Sequence, residues 1–416
     1  MKLFSLSVVF ITFFITISVQ SQSVDYSKVD AHALSTPSRF EANTDELAYY
    51  LTSPFRSQPE KARAIFRWIT DRIEYDADSF FRRVQPNSDP EYLLKSRTAI
   101  CTGYAILFKE LAEKAGLESI IIEGHSKGYG FNPEEDSYKV NHAWNAVKVD
   151  GYWKLLDTTW GAGYIDSETG QFKKRFEGHY FFTDPTQFIF DHFPEDSNWQ
   201  LLYPPVSIDD YKQKVLLKAG FFNNGLSLLS HTESTIEASG SSQIKIQVPT
   251  DQVVTAQLSR NGVPVPGNQV FTNHRDKAAV IEVQPPQRGT YELEIFSRRL
   301  KSDDKSFSMV LSYQIKNNRE TADSGFPEIF GKFLEQRGSV DHPMTYVIQA
   351  DKEIKFSLTV DGAKSVSVVS GGEWIDLKKN GNHFSGLVIP KAGTVHVAAN
   401  FNDDEQYSVL LEYQAR

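Results

Sequence analysis

Across 416 residues the chain has one cysteine, Cys101. No internal disulfide can form, so packing alone has to stabilise the fold, and the thiol is either a small buried hydrophobe or a nucleophile. One cysteine cannot build a structural zinc site, and the ten histidines contain no His-x-x-x-His pair. Nothing in the residues calls for a cofactor. Basic charge is also scarce: 44 Lys and Arg stand against 53 Asp and Glu, a net charge of −9, which leaves no general footprint for nucleic acid. Long apolar runs are absent after the first residues. Phe4 to Val19 is apolar except for Ser and Thr, follows Met1-Lys2-Leu3, and ends at Gln20-Ser21-Gln22-Ser23. That run is short of the ~20 residues a membrane span needs and reads as a secretory signal peptide over residues 1–21. An uncleaved anchor is the alternative. The expectation is an exported protein, periplasmic or extracellular, with no membrane span after signal removal.

What is present divides near position 215. Before it, helical patterns alternate with strands. Beyond it lie short alternating segments such as Gln243-Ile244-Lys245-Ile246-Gln247-Val248, the period-two pattern of antiparallel sandwiches. The β region repeats itself. Gly289-Thr290 opens a strand pair that closes with Val310-Leu311-Ser312-Tyr313-Gln314, and Gly393-Thr394 opens one that closes with Leu410-Leu411-Glu412-Tyr413-Gln414. Two copies about 100 residues apart predict sandwich domains over 219–317 and 325–416, with Lys316 to Glu320 as a polar linker. In the first half, Ser57 and Glu60 form a capping box with Pro59 in the first turn. Ala62, Ile65, Phe66 and Ile69 then make the apolar stripe of a core helix.

Leu107, Phe108, Leu111, Ala112 and Ala115 recur at helical spacing before Gly116, which puts Cys101 in the first turn of a second helix. Free N–H groups and the positive end of the helix dipole favour a thiolate there. Downstream, Asp150-Gly151 separates two apolar-rich runs and predicts a two-residue hairpin turn. Val149 then faces Tyr152, Trp144 faces Asp157, and His142 faces Thr159. Residues two apart share a face of a strand, so His142 and Asp157 become diagonal neighbours with backbones ~7 Å apart. A carboxylate on one ring nitrogen fixes the tautomer and leaves the other free to move a proton. Cys101, His142 and Asp157 are therefore the candidate catalytic residues.

These segments resemble the transglutaminase-like superfamily, and within it the kyphoscoliosis-peptidase-type domain. The resemblance runs through Lys61 to Ile69, Ile73-Glu74-Tyr75-Asp76, Ile100-Cys101-Thr102-Gly103-Tyr104-Ala105, Asn141-His142-Ala143-Trp144-Asn145 and Leu156-Asp157-Thr158-Thr159-Trp160-Gly161. It continues into His179 to Pro185 and His192 to Asp196. It covers roughly residues 28–215 and implies an α+β, papain/transglutaminase-like cysteine-protease fold followed by two all-β Ig-like sandwich domains. It assigns nucleophile to Cys101, base to His142 and orienting acid to Asp157. The backbone N–H of Cys101 is the first candidate oxyanion donor, with the second unassigned.

The implied chemistry is acyl transfer through a thioester on a protein or peptide substrate, with a peptidase as the leading outcome. A protein-glutamine deamidase or cross-linking transferase shares the geometry, and a non-catalytic protein-binding scaffold is the rival class. Trp144 and Trp160 either line the substrate channel or pack structurally. His125 is expected on a loop after a strand over Ser119 to Glu123. The acidic run Glu134-Glu135-Asp136 reads as a solvated loop rather than a calcium site.

Overall fold

The computed structural model describes residues 24–132, 137–303, 305–321, 325–402, 404 and 406–416. The expected signal peptide and the acidic run 134–136 lie outside them. Among the described residues, no helix is long and apolar enough to cross a membrane.

Two helices organise the first half. In the Gln58–Arg72 helix the Ser57 side chain accepts from the Glu60 N–H, with Pro59 in the first turn. The stripe Ala62, Ile65, Phe66 and Ile69 is wholly buried. The Cys101–Lys114 helix starts after Ile100, whose extended backbone ends the preceding strand, and stops at Ala115 and Gly116. It buries Tyr104, Leu107, Phe108, Leu111 and Ala112 in one core with the first helix, each large apolar side chain contributing ~1.5–3 kcal/mol.

That core is shared with a five-stranded antiparallel sheet in the order Phe181–Thr183, Tyr152–Leu156, His142–Val149, Ser119–Ser126, His192–Pro194. The central hairpin has the expected register, with Val149 opposite Tyr152 and Asn145 opposite Leu156. Asp150 and Gly151 both take positive φ, 50° and 86°, as a type I′ turn requires. The strand ends at Leu156, however. Asp157 is the N-cap of a short helix, Thr158–Ala162, so Thr159 is helical rather than facing His142 across a ladder.

The second half forms two sandwiches of matching topology. Each pairs a six-stranded sheet with a four-stranded one. In both, the long hairpin seen as a repeat carries a bulge at the same place, after Ile295 in one and Val397 in the other. Each bulge adds one buried residue, Val310 or Leu410. Two details differ from expectation. Each sandwich includes a short parallel strand, Thr235–Ala238 or Val347–Ile348, beside its last strand. The polar run at Lys316 is not all linker, because Lys316 and Asn317 still pair with Thr290 and Gly289.

Candidate active site

Cys101 is the first residue of its helix, where the leading N–H groups have no intrahelical acceptor. Its half-buried thiol reaches a cleft of about 870 Å3 lined also by Tyr75, Phe80, Val84, Asn141 and His142. His142 opens its strand and is buried. Asp157 is fully buried and uses its two oxygens differently. Oδ1 accepts the backbone N–H of Thr159 at 2.7 Å and of Trp160 at 3.1 Å, capping the short helix. Oδ2 accepts from His142 Nε2 at 2.7 Å. A nitrogen facing a carboxylate carries the hydrogen, so Nδ1 is left free on the ring of His142, which lines the same cleft as Cys101 and Ala143. The structure thus brings Cys101 and His142 to the wall of one cleft, with Asp157 bonded to His142 from the buried side.

Burial would raise the Cys101 thiol, but the His142 hydrogen bond and charge, helped by Ala143, outweigh it and bring the pKa below the usual thiol value. Burial would lower the His142 imidazole. The Asp157 charge and hydrogen bond override it and raise the ring to about 10. Asp157 would itself be raised by burial, yet the two histidines hold it well below the usual carboxylate range. These directions both favour a thiolate–imidazolium pair over a thiol beside a neutral ring.

Trp144 and Trp160 lie behind the histidines and not among the residues lining the cleft. Trp144 is in the core, its ring 6.0 Å from that of His142 and 5.0 Å from that of His192. Trp160 is 5.7 Å from His142 and 4.5 Å from His192. Both clamp the imidazoles. His125 is a strand residue rather than a loop one, buried with Nδ1 3.1 Å from the Tyr211 hydroxyl.

Sequence patterning leaves His192 without a role. It is fully buried on the edge strand, with Nε2 3.0 Å from Asp157 Oδ2 and Nδ1 2.6 Å from Asp191 Oδ1. Its signal was available: Asp191-His192 is an acid–imidazole dipeptide in an aromatic-rich segment already noted for its resemblance. The ligating atoms of His142, Asp157 and His192 fall within 4.8 Å of one another. Zinc bonds of about 2.0–2.2 Å would hold such atoms ~3.3 Å apart in a tetrahedral shell. The 2.7 Å and 3.0 Å separations, both to one carboxylate oxygen, are those of hydrogen bonds.

Comparison with known proteins finds two matching families. Residues 45–158 match the transglutaminase-like superfamily, and residues 208–328 match the KY-like, immunoglobulin-like domain. Kyphoscoliosis peptidase of Mus musculus is 33% identical over 305 residues, covering 72% of this chain and 45% of that protein. The Homo sapiens protein of the same name is 31% identical over 356 residues, covering 83% and 52%. The chain spans about half the length of these relatives. A crystal structure of a TGase is 19% identical over 34% of this chain and 35% of its own, with a TM-score of 0.23. Cys101, His142 and Asp157 all fall inside the transglutaminase-like match, and His192 falls outside it.

Proposed function

We propose that this chain, which carries a transglutaminase-like domain of the kyphoscoliosis-peptidase type and a KY-like immunoglobulin-like domain, is a cysteine acyl-transfer enzyme acting on protein amide bonds, with hydrolysis as its outcome. The observation that carries this reading is the convergence of Cys101 and His142 at the wall of an open cleft, with Asp157 bonded to His142. The Cys101 thiolate attacks the amide carbonyl carbon. The developing oxyanion is met by the Cys101 backbone N–H and by the Tyr75 hydroxyl, a cleft group that burial, Cys101 and Asp157 keep protonated. His142 passes its Nδ1 proton to the departing nitrogen, and the C–N bond breaks to leave a thioester. Water then attacks with Nδ1 as base, releasing the acid and restoring the thiolate–imidazolium pair.

The same acyl-enzyme resolved by an amine gives a cross-link, and formed on a glutamine side chain gives deamidation. Access to water favours hydrolysis, since the cleft is open to solvent, and the word peptidase in the names of the two mammalian relatives points the same way. Mass spectrometry of protein substrates incubated with wild-type and Cys101→Ala chains tests this. Backbone cuts that need Cys101 support the peptidase. One-dalton shifts or cross-links would replace it with a deamidase or a transferase, and absence of all three would leave a binding scaffold.

A further inference from the structure

His192 sits between two carboxylates with no water-facing surface. Nε2 is 3.0 Å from Asp157 Oδ2, and Nδ1 is 2.6 Å from Asp191 Oδ1. A carboxylate only accepts hydrogen bonds, so a ring nitrogen at either position has to carry a hydrogen. A neutral imidazole has one N–H and would turn its lone pair on the other carboxylate. Phe188 stacks on one face of the ring at 4.1 Å and Trp160 lies 4.5 Å away, so water cannot substitute. The other oxygen of Asp191, Oδ2, accepts from the Tyr180 hydroxyl at 3.1 Å.

We propose that His192 is a positioning residue held as an imidazolium, which fixes Asp157 against His142 and sets how tightly His142 holds its proton. Asp157 then receives four donors: two backbone N–H groups on Oδ1 and two rings on Oδ2. A carboxylate shared in this way attracts the His142 proton less than one devoted to it. That matters in the proposed reaction, because His142 has to surrender the proton to the leaving nitrogen. The titratable groups facing His192 are Asp191 beside it, Asp157 at the helix cap, His142 on the central strand and Tyr180, with His179 farther off. Burial would lower its pKa, and the two carboxylates raise it on balance.

The role of His142 in acyl transfer rests on the proposed function, but the protonation states do not, so the test is spectroscopic. In the 15N-histidine-labelled full chain, ring nitrogen shifts are followed against pH, with the His192 signals identified by their loss in His192→Gln. Both His192 nitrogens are expected to be protonated at pH 7. His192→Gln keeps a donor toward Asp157 without the charge, and Asp191→Asn lets the ring relax to neutral. Each is expected to move the His142 titration upward by about one pH unit. Circular dichroism establishes that both variants are folded. A bare, pyridine-type nitrogen on His192 at pH 7 overturns the proposal. So does an unmoved His142 titration in a folded His192→Gln chain. Lack of amide cleavage counts only against the proposed activity, since the ring-nitrogen measurements need no turnover.

Discussion

Asp157 shows how much one side chain decides. Its Oδ2 keeps Nε2–H of His142 in place, which leaves Nδ1 for sulfur, so its loss should reach the thiol one residue removed. With His142→Ala, burial and the Asp157 charge both raise the Cys101 thiol, and only the Ala143 backbone still opposes them. Alkylation at pH 7 should slow at least tenfold, and its pH midpoint should move above that of an ordinary thiol, as read by iodoacetamide labelling and mass spectrometry. Asp157→Asn can present an amide N–H to the ring and select the wrong tautomer, which should lower amide turnover by about 10⁴-fold. Stability follows the same groups with opposite signs. His142 is raised from 6.5 to about 10, so its contribution is whole below its unfolded value and lost as pH rises through about 10. Asp157 is depressed, so its contribution is whole above its unfolded value of 3.8 and lost as pH falls through its lower folded value. Thermal melts between pH 6.5 and 10 should fall in the wild type and flatten in His142→Gln. A slope equal in the two would mean that His142 is not held charged.

At the scale of elements, close approach of two strands puts His192 in range. Gly124 lies on the Ser119–Ser126 strand, and a Cβ there would collide with the Phe193 carbonyl oxygen and come within 2.5 Å of Trp144 Cη2 and 2.8 Å of Pro194 Cα. Backbone and a buried ring cannot retreat cheaply. Gly124→Ala should therefore cost ~1–3 kcal/mol in urea unfolding and displace the His192–Pro194 strand, with the His192 nitrogen signals shifted. Gly151→Ala is the control. It has open space around it and φ 86°, so it should cost ~1–2 kcal/mol through backbone strain and leave those signals alone. The pair also shows which parts of the site were legible in the sequence. The Asp150-Gly151 turn is local chemistry, so the hairpin register followed from four or five residues, and with it the nearness of His142 to Asp157. Where the strand ends was not legible from alternation, although Asp157-Thr158-Thr159 has the composition of an N-cap. His192 depends on a strand pairing across 66 residues of sequence, Ser126 with His192, for which no local signal exists. The parallel edge strands of the sandwiches escaped for the same reason, while their long hairpins repeat openly.

At the scale of the whole molecule, the two sandwiches share material. Phe271 belongs by sequence to the first but packs in the core of the second, against Phe326 and Phe333. Arg337, from the second, reaches back to backbone carbonyls of the first: Pro249 at 2.9 Å, Asp276 at 3.1 Å and Val248 at 3.4 Å, with Gln252 as well. Asn273 Oδ1 accepts the Val340 N–H at 2.7 Å, and Arg275 pairs with Asp341 at 2.6 Å. A guanidinium that gathers several carbonyls has no equal in lysine, whose ammonium is a point charge. Arg337→Lys should cost about 2 kcal/mol and separate what we expect to be one calorimetric transition for both sandwiches into two. His274 stands beside this contact, buried, its Nε2 accepting the Val254 N–H at 3.3 Å. Burial first, and then the Arg337 charge, lower its pKa from 6.5 to about 3. The folded interface therefore keeps His274 neutral in a range where the unfolded chain binds a proton. Stability should decline as pH falls from 6.5 toward 3 and be indifferent to this group above 6.5. His274→Gln, which also offers an acceptor to Val254, should remove that part of the acid slope. If calorimetry between pH 4 and 7 gives the same slope for His274→Gln and the wild type, the ring is already charged in the folded interface, and the Arg337 contact cannot be arranged as described.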